Sequence, residues 1–314
     1  MAATVTQSSL GGRGTLTLTS PDRCLEVTYV PSVGMVACSM RHHGEELLGQ
    51  RGGLEAYAKT GSTFGIPFLH PWANRLDGMR YSIAGREVLL DPAISPLHLD
   101  ANGLAMHGLL GASPYWEVVG TTETTEAAVL TARLDFGAHA ELLAAFPFPH
   151  VVVIEATVSD ARLTVVTTVE ATGDVPVPIA FGYHPYLALP DVPRQEIQIG
   201  LAVLREDLLD DRGIPTKESR KVEPSRAPLG SRSFDDLYGE LSSPTTFTLE
   251  GAGRLVAVNF ADGFNVAQVY APPGEPFICF EPMTAVTNAL VTDAGVTMAL
   301  PGESFKASFS VSVS

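Results

Sequence analysis

Positive charge is scarce in this chain: 20 Lys and Arg stand against 35 Asp and Glu, for a formal net charge of -15. A surface of that sign repels phosphate backbones, whose binding rests on basic residues releasing counterions, so no nucleic-acid partner is expected. Long apolar runs are missing too. No stretch approaches the roughly 20 residues needed to span a bilayer, and the opening "MAATVTQSSLGGRGTLTLTS" has neither a basic segment nor an apolar leader core. No membrane partner and a cytoplasmic location are therefore expected. The 3 cysteines, Cys24, Cys38 and Cys279, lie far apart without a CxxC pair, which argues against a disulfide framework or a thiolate zinc site and for buried thiols. There is also no Ser/Gly-rich linker, charge block, internal repeat or succession of long amphipathic helices. A parallel doubly wound sheet is disfavoured, and one domain over residues 1–314 is expected.

What the chain has instead is a series of β-branched runs cut by 29 Gly and 23 Pro. The stretch "SFKASFSVSVS" alternates Phe305, Ala307, Phe309, Val311 and Val313 with Lys306 and serines, the period of a half-buried strand. "HVVVIEATV" and "ARLTVVTTVEAT" meet at Ser159 and Asp160, and "TTFTLEGAGRLVAVNF" sets Gly251 and Gly253 between two strand-like halves, so both read as antiparallel hairpins. Only "HAELLAAF" and "TAVTNALV" suggest helix. With 45% apolar residues to bury, a large antiparallel sandwich is the simplest architecture.

Polar groups interrupt these strands where a plain sandwich does not require them. In "GIPFLHPWANRLDGMRY", Arg75 follows Asn74 near Trp72; its planar guanidinium suits a ligand oxygen, or equally a structural carboxylate. His70, flanked by Phe68 and Leu69, reads rather as a satisfied core histidine. In "GLAMHGLLG", His107 precedes Gly108, which permits a sharp turn or a close approach. In "FGYHPYLALP", Pro185 drives His184 toward extended geometry. Asp235 and Asp236 of "SRSFDDLYGEL" can hold hydroxyls or simply solvate a turn. Glu281 follows the apolar run Phe277 to Phe280, where burial would raise its pKa toward the range of a general base.

Taken in order, "GIPFLHPWANRL", the pair His107 and Gly108, "GYHPYLAL" and "CFEPMTAVTNAL" resemble the aldose 1-epimerase (galactose mutarotase-like) family over about residues 20 to 313. The resemblance implies an all-β, single-domain large antiparallel β-sandwich of the galactose mutarotase-like supersandwich type. It also implies an isomerase that interconverts the α and β anomers of a free aldohexose without cofactor or metal. Glu281 would be the base at the anomeric hydroxyl and His184 the acid at the ring oxygen, with Arg75, His107 and Asp235 binding substrate. Asp235 matches better than Asp236 because it stands three residues before an aromatic, Tyr238. Trp72 and Tyr183 are candidates for an apolar sugar-facing surface, with core packing as the competing role. The expected partner is a small sugar, and the chain is expected to be a monomer or homodimer.

His70 departs from the family pattern, as does the compact "PWANRL" form of the loop, which leaves the sugar open. A hexose 6-phosphate is an alternative, since Arg75 and Arg80 would flank a cleft; the acidic chain steers anions the wrong way, which favours a neutral sugar. A non-catalytic sugar-binding or sensing protein would keep the cleft, but has no need of a complete acid–base set. A divalent metal on His70, His107, His184 and Glu281 lacks any HxH or HExxH-like spacing.

Overall fold

The alternating C-terminal stretch forms the strand Ser304–Val313, with Ala307, Phe309, Val311 and Val313 buried and Lys306 exposed. It lies between the strands Arg162–Ala171 and Arg254–Phe260, and all its pairings are antiparallel. The structure, a computed structural model, describes residues 1–61 and 63–314. Both expected hairpins form. The first turns at Asp160 and Ala161, one residue later than the sequence suggests, because Asp160 adopts the left-handed φ of 46°. In the second, Gly251 ends its strand and the turn is Ala252–Gly253, both with positive φ, which matches the twist of the flanking strands.

Three large antiparallel sheets result. One of five strands runs in simple up-and-down order from Thr4–Leu10 to Glu45–Glu46. A second has nine strands, with Ser304–Val313 near its middle. The third follows the order Pro215–Lys221, Arg205–Leu209, Phe234–Tyr238, Val266–Ala271, Phe277–Met283, Gly182–Tyr183 and Phe68–Leu69, with Tyr186–Ala188 also pairing with Phe277–Met283. One apolar cluster reaches from Ala3 through Trp72, Phe181 and Phe260 to Val313.

Short helices occupy Ala140–Ala145, inside the first segment that suggests helix, and Ala289–Thr292, which overlaps only the end of the second and runs one residue past it. A third, Gly53–Thr60, carries no such signal, for only Leu54 and Tyr57 of it are buried. Among the described residues no helix is long and apolar enough to cross a membrane. The three cysteines are free and buried.

His70 is a core residue. Its Nε2 stands 2.7 Å from Nε2 of His150, whose Nδ1 contacts the Phe148 carbonyl at 2.6 Å. Phe68 stacks on one side and Phe136, Phe146 and Phe181 enclose the rest. The adjoining loop is knitted to a second one: Leu109 N donates to His70 O, Leu76 N to Ala105 O and His107 N to Asn74 O. Gly108 makes this possible. Its φ is 71°, and a Cβ there would lie 2.2 Å from the His70 carbonyl oxygen.

Candidate active site

The third sheet assembles the site through its register. Gly182 pairs with Met283 and Tyr186 with Cys279, so the intervening His184 falls opposite Glu281. His184 Nε2 is 3.2 Å from Glu281 Oε1, and both side chains are almost wholly buried. On the other flank of the Glu281 strand, Gln268 stands directly opposite Glu281 and Tyr270 opposite Asp235. Period-two alternation therefore puts Glu281, Gln268, Tyr270 and Asp235 on one face. Asp236 takes the opposite face with Tyr238, whose hydroxyl is 3.5 Å from it.

This face floors a cavity of about 310 Å³. The loops 70–76 and 98–108 close one side and bring in Arg75 and His107. Arg75 pairs with a structural carboxylate, its Nε donating to Asp100 at 2.8 Å and Nη1 to Asn74 Oδ1 at 2.9 Å, and its side chain also lines the cavity. Gly213 lets it lie there, since a Cβ at that position would come within 2.8 Å of Arg75 Nη1. His107 Nδ1 and His184 Nδ1 are buried without a partner among the described residues.

Burial dominates the electrostatics. It pushes the Glu281 carboxyl well above its ordinary range, with the Asp235 charge adding to the effect and Arg75 opposing it. Burial likewise holds His184 well below the imidazole range, helped by His107 and Arg51. His107 is driven down to about 3 by burial and then by Arg75 and His98. The two groups stand 3.2 Å apart, and both shifts favour a single proton on the pair, as a protonated carboxyl beside a neutral imidazole.

The structure thus gathers Glu281, His184, Arg75, His107 and Asp235 around one cavity. Four alternatives weighed from the sequence find no support. Trp72 is buried in the core, bridging Ala180, and does not face the cavity. Tyr183 is equally buried, its hydroxyl 2.6 Å from Thr167 Oγ1, because it points to the opposite face from His184. Arg80 is an exposed strand residue paired with Glu87, so it flanks no cleft. With His70 held in the core by His150, the four proposed metal ligands do not converge, and among the described residues no group of three or more His, Cys, Asp or Glu is arranged to hold a metal.

Several residues at the cavity or beside its lining carry no sequence argument. Arg51 donates to the Tyr186 hydroxyl at 3.1 Å and to the Thr63 carbonyl, and its guanidinium sits over the Tyr186 ring. Tyr186 stacks on His184 with ring centroids 4.5 Å apart. Its place two residues beyond His184 in an extended segment is a legible signal of a shared face. Arg51, 135 residues from Tyr186, leaves none. Gln268 is fixed by a bond from its Nε2 to Asp235 Oδ1 at 2.7 Å.

The aldose 1-epimerase family model matches residues 30–312. Among solved structures, a galactose mutarotase-like protein from Clostridium acetobutylicum superposes with a TM-score of 0.86 at 16% identity, covering 100% of this chain and 99% of that one. A protein from Synechocystis gives 0.78 at 22% identity over 96% and 95% of the two chains. The galactose 1-epimerase of Lactobacillus acidophilus gives 0.77 at 13% identity over 99% and 98%. At such identities the likeness to these structures is one of fold: a galactose mutarotase-like β-sandwich.

Proposed function

The chain belongs to the aldose 1-epimerase family, and from that premise we propose that it interconverts the α and β anomers of a free aldohexose, with Glu281 and His184 as the proton-transfer pair. The observation that carries this reading is the 3.2 Å contact of the two groups at the floor of a cavity of small-molecule size. Ring opening takes one proton from O1 and gives one to O5, so a base and an acid must act together.

In the reactive closed-ring complex the shared proton sits on His184 and Glu281 is anionic. Glu281 accepts the O1 proton while His184 donates to O5; the C1–O5 bond breaks and C1=O1 forms. The pair then holds a protonated carboxyl and a neutral imidazole, the uncharged arrangement that burial prefers. Burial therefore offsets part of the cost of opening the ring. Rotation about C1–C2 turns the other aldehyde face to O5, and the same transfers in reverse close the ring. Arg75 and His107 hydrogen-bond sugar oxygens and stabilise charge on O5, and Asp235 accepts from a hydroxyl.

A neutral sugar fits a cavity whose floor carries Asp235 and Glu281. One observation favours hexose 6-phosphate as a second reading: Arg51, on the cavity wall, has no carboxylate partner among the described residues. Exchange NMR over a panel of aldoses and hexose 6-phosphates separates the two. The expected result is accelerated exchange for an unphosphorylated hexose, abolished by Glu281→Gln and lowered about 10²–10⁴-fold by His184→Asn. A folded protein that binds these sugars yet leaves every anomer exchanging at the buffer rate would be a binder and not an epimerase.

A further inference from the structure

Two buried acceptor atoms on directly opposed residues lack a donor among the described residues. Gln268 and Glu281 are directly opposed across an antiparallel pair, which sets their Cβ atoms about 4.5–5.5 Å apart on one face. Each is 1% exposed. Gln268 Oε1 and Glu281 Oε2 both lack a hydrogen-bond partner among the described residues. A buried acceptor without a donor forfeits its hydration for nothing, and two such atoms on neighbouring side chains call for a common explanation.

The Gln268 amide cannot simply turn over. Its Nε2 donates to Asp235 Oδ1 at 2.7 Å, and the reversed amide would set its oxygen against that carboxylate. Oε1 is therefore left on the side away from Asp235, where the Glu281 strand lies. A proton on Glu281 Oε2 satisfies both orphans at once, whereas a carboxylate there satisfies neither.

We propose that Gln268 is a positioning residue for the Glu281 base: its amide, held one way round by Asp235, presents Oε1 as acceptor for a proton carried on Glu281 Oε2. The same side chain thereby joins the group assigned to a sugar hydroxyl with the group assigned to the anomeric proton. In this role the inference rests on the epimerase reading, but the hydrogen bond itself does not. It stabilises the protonated carboxyl, and so holds the proton that ring opening delivers.

Other groups face Glu281 as well. His184 and Tyr186 approach from residues 182–188, Asp235 and Tyr270 from the neighbouring strands, and Cys279 from its own strand. Arg75, His107 and Arg51 reach in across the cavity, the last two through His184. A neutral-for-neutral replacement of Gln268 leaves all these charges in place, which makes the direction of the effect diagnostic.

Gln268→Met keeps the volume and removes both ends of the amide. The readout is the carboxylic-acid C=O band in pH-difference infrared spectra, assigned to Glu281 by its loss in Glu281→Gln. Losing the acceptor is expected to lower the titration midpoint by about 0.5–1 pH unit. An apolar neighbour acting by desolvation alone would raise it instead. Gln268→Asn, which withdraws the amide by one methylene, is expected to move the midpoint down too and replaces the Met variant if that fails to fold. The alkaline limb of kcat/KM, where the pair loses its one proton, should shift by the same amount as the infrared midpoint. A midpoint unchanged or raised in a folded variant overturns the proposal. An inactive wild type with the expected infrared shift would sink only the epimerase reading.

Discussion

At the scale of single residues, the buried histidine pair makes a prediction independent of catalysis. His150 is held down to about 4 by burial, and His70 well below its ordinary range by burial and then by His150. Unfolded, both recover a value near 6.5, so between the two values the unfolded chain binds more protons than the folded one. Stability is then fully present above about 6.5 and falls as pH drops through the window toward 4. By pH 5, His150 alone accounts for a loss of about 2 kcal/mol. Urea unfolding at pH 7.5 and 5 should show this loss in the wild type and a clearly smaller one in His70→Phe/His150→Leu; equal losses would refute the assignment. The flanks of His70 disclose in sequence that it is a core residue. They do not disclose its partner, because His150 reaches it only through a contact across 80 positions. The same limit hid Arg51 and Gln268, whose roles exist only in the register and loop packing around Tyr186, Asp235 and Glu281.

At the scale of elements, the strands were legible and their neighbours were not. "EPFICFEP" reads as a strand from composition, but the pairing that sets His184 against Glu281 depends on contacts about a hundred residues apart. The helix Gly53–Thr60 escaped notice for a different reason. It buries only Leu54 and Tyr57, too few apolar positions to establish a 3.6-residue period. Besides its packing on Val30, Val33 and Phe64, a polar clamp brackets it. Arg51 before the helix and Thr63 after it both bind the Tyr186 hydroxyl, the latter at 2.5 Å. Tyr186→Phe removes that hydroxyl while keeping the ring on His184. It should cost about 1–2 kcal/mol and speed hydrogen exchange across 51–63, with the Phe277–Met283 strand unaffected. If 51–63 exchanges at the wild-type rate in the variant, the clamp does not hold the helix.

At the scale of the whole molecule, composition disfavours a parallel doubly wound sheet and pattern points to antiparallel strands, but neither reveals a division into sheets of five, nine and eight strands. That division depends on distant pairings, such as Ser304–Val313 lying between Arg162–Ala171 and Arg254–Phe260. The chain's last strand is thus enclosed by two segments made far earlier. Leu16, Leu18 and Val27 of the five-stranded sheet belong to the same apolar cluster as Phe309 and Val311. On these grounds we propose that residues 1–314 fold as one cooperative unit. Trp72 and Trp116 both lie in that cluster, so their fluorescence reports on it directly. Urea transitions followed by tryptophan fluorescence and by far-ultraviolet circular dichroism should coincide. Phe309→Ala, which opens a cavity among Tyr183, Phe264 and the cluster, should move both curves together by about 3–5 kcal/mol. Two separated transitions, with only one displaced by Phe309→Ala, would divide the chain into independent parts.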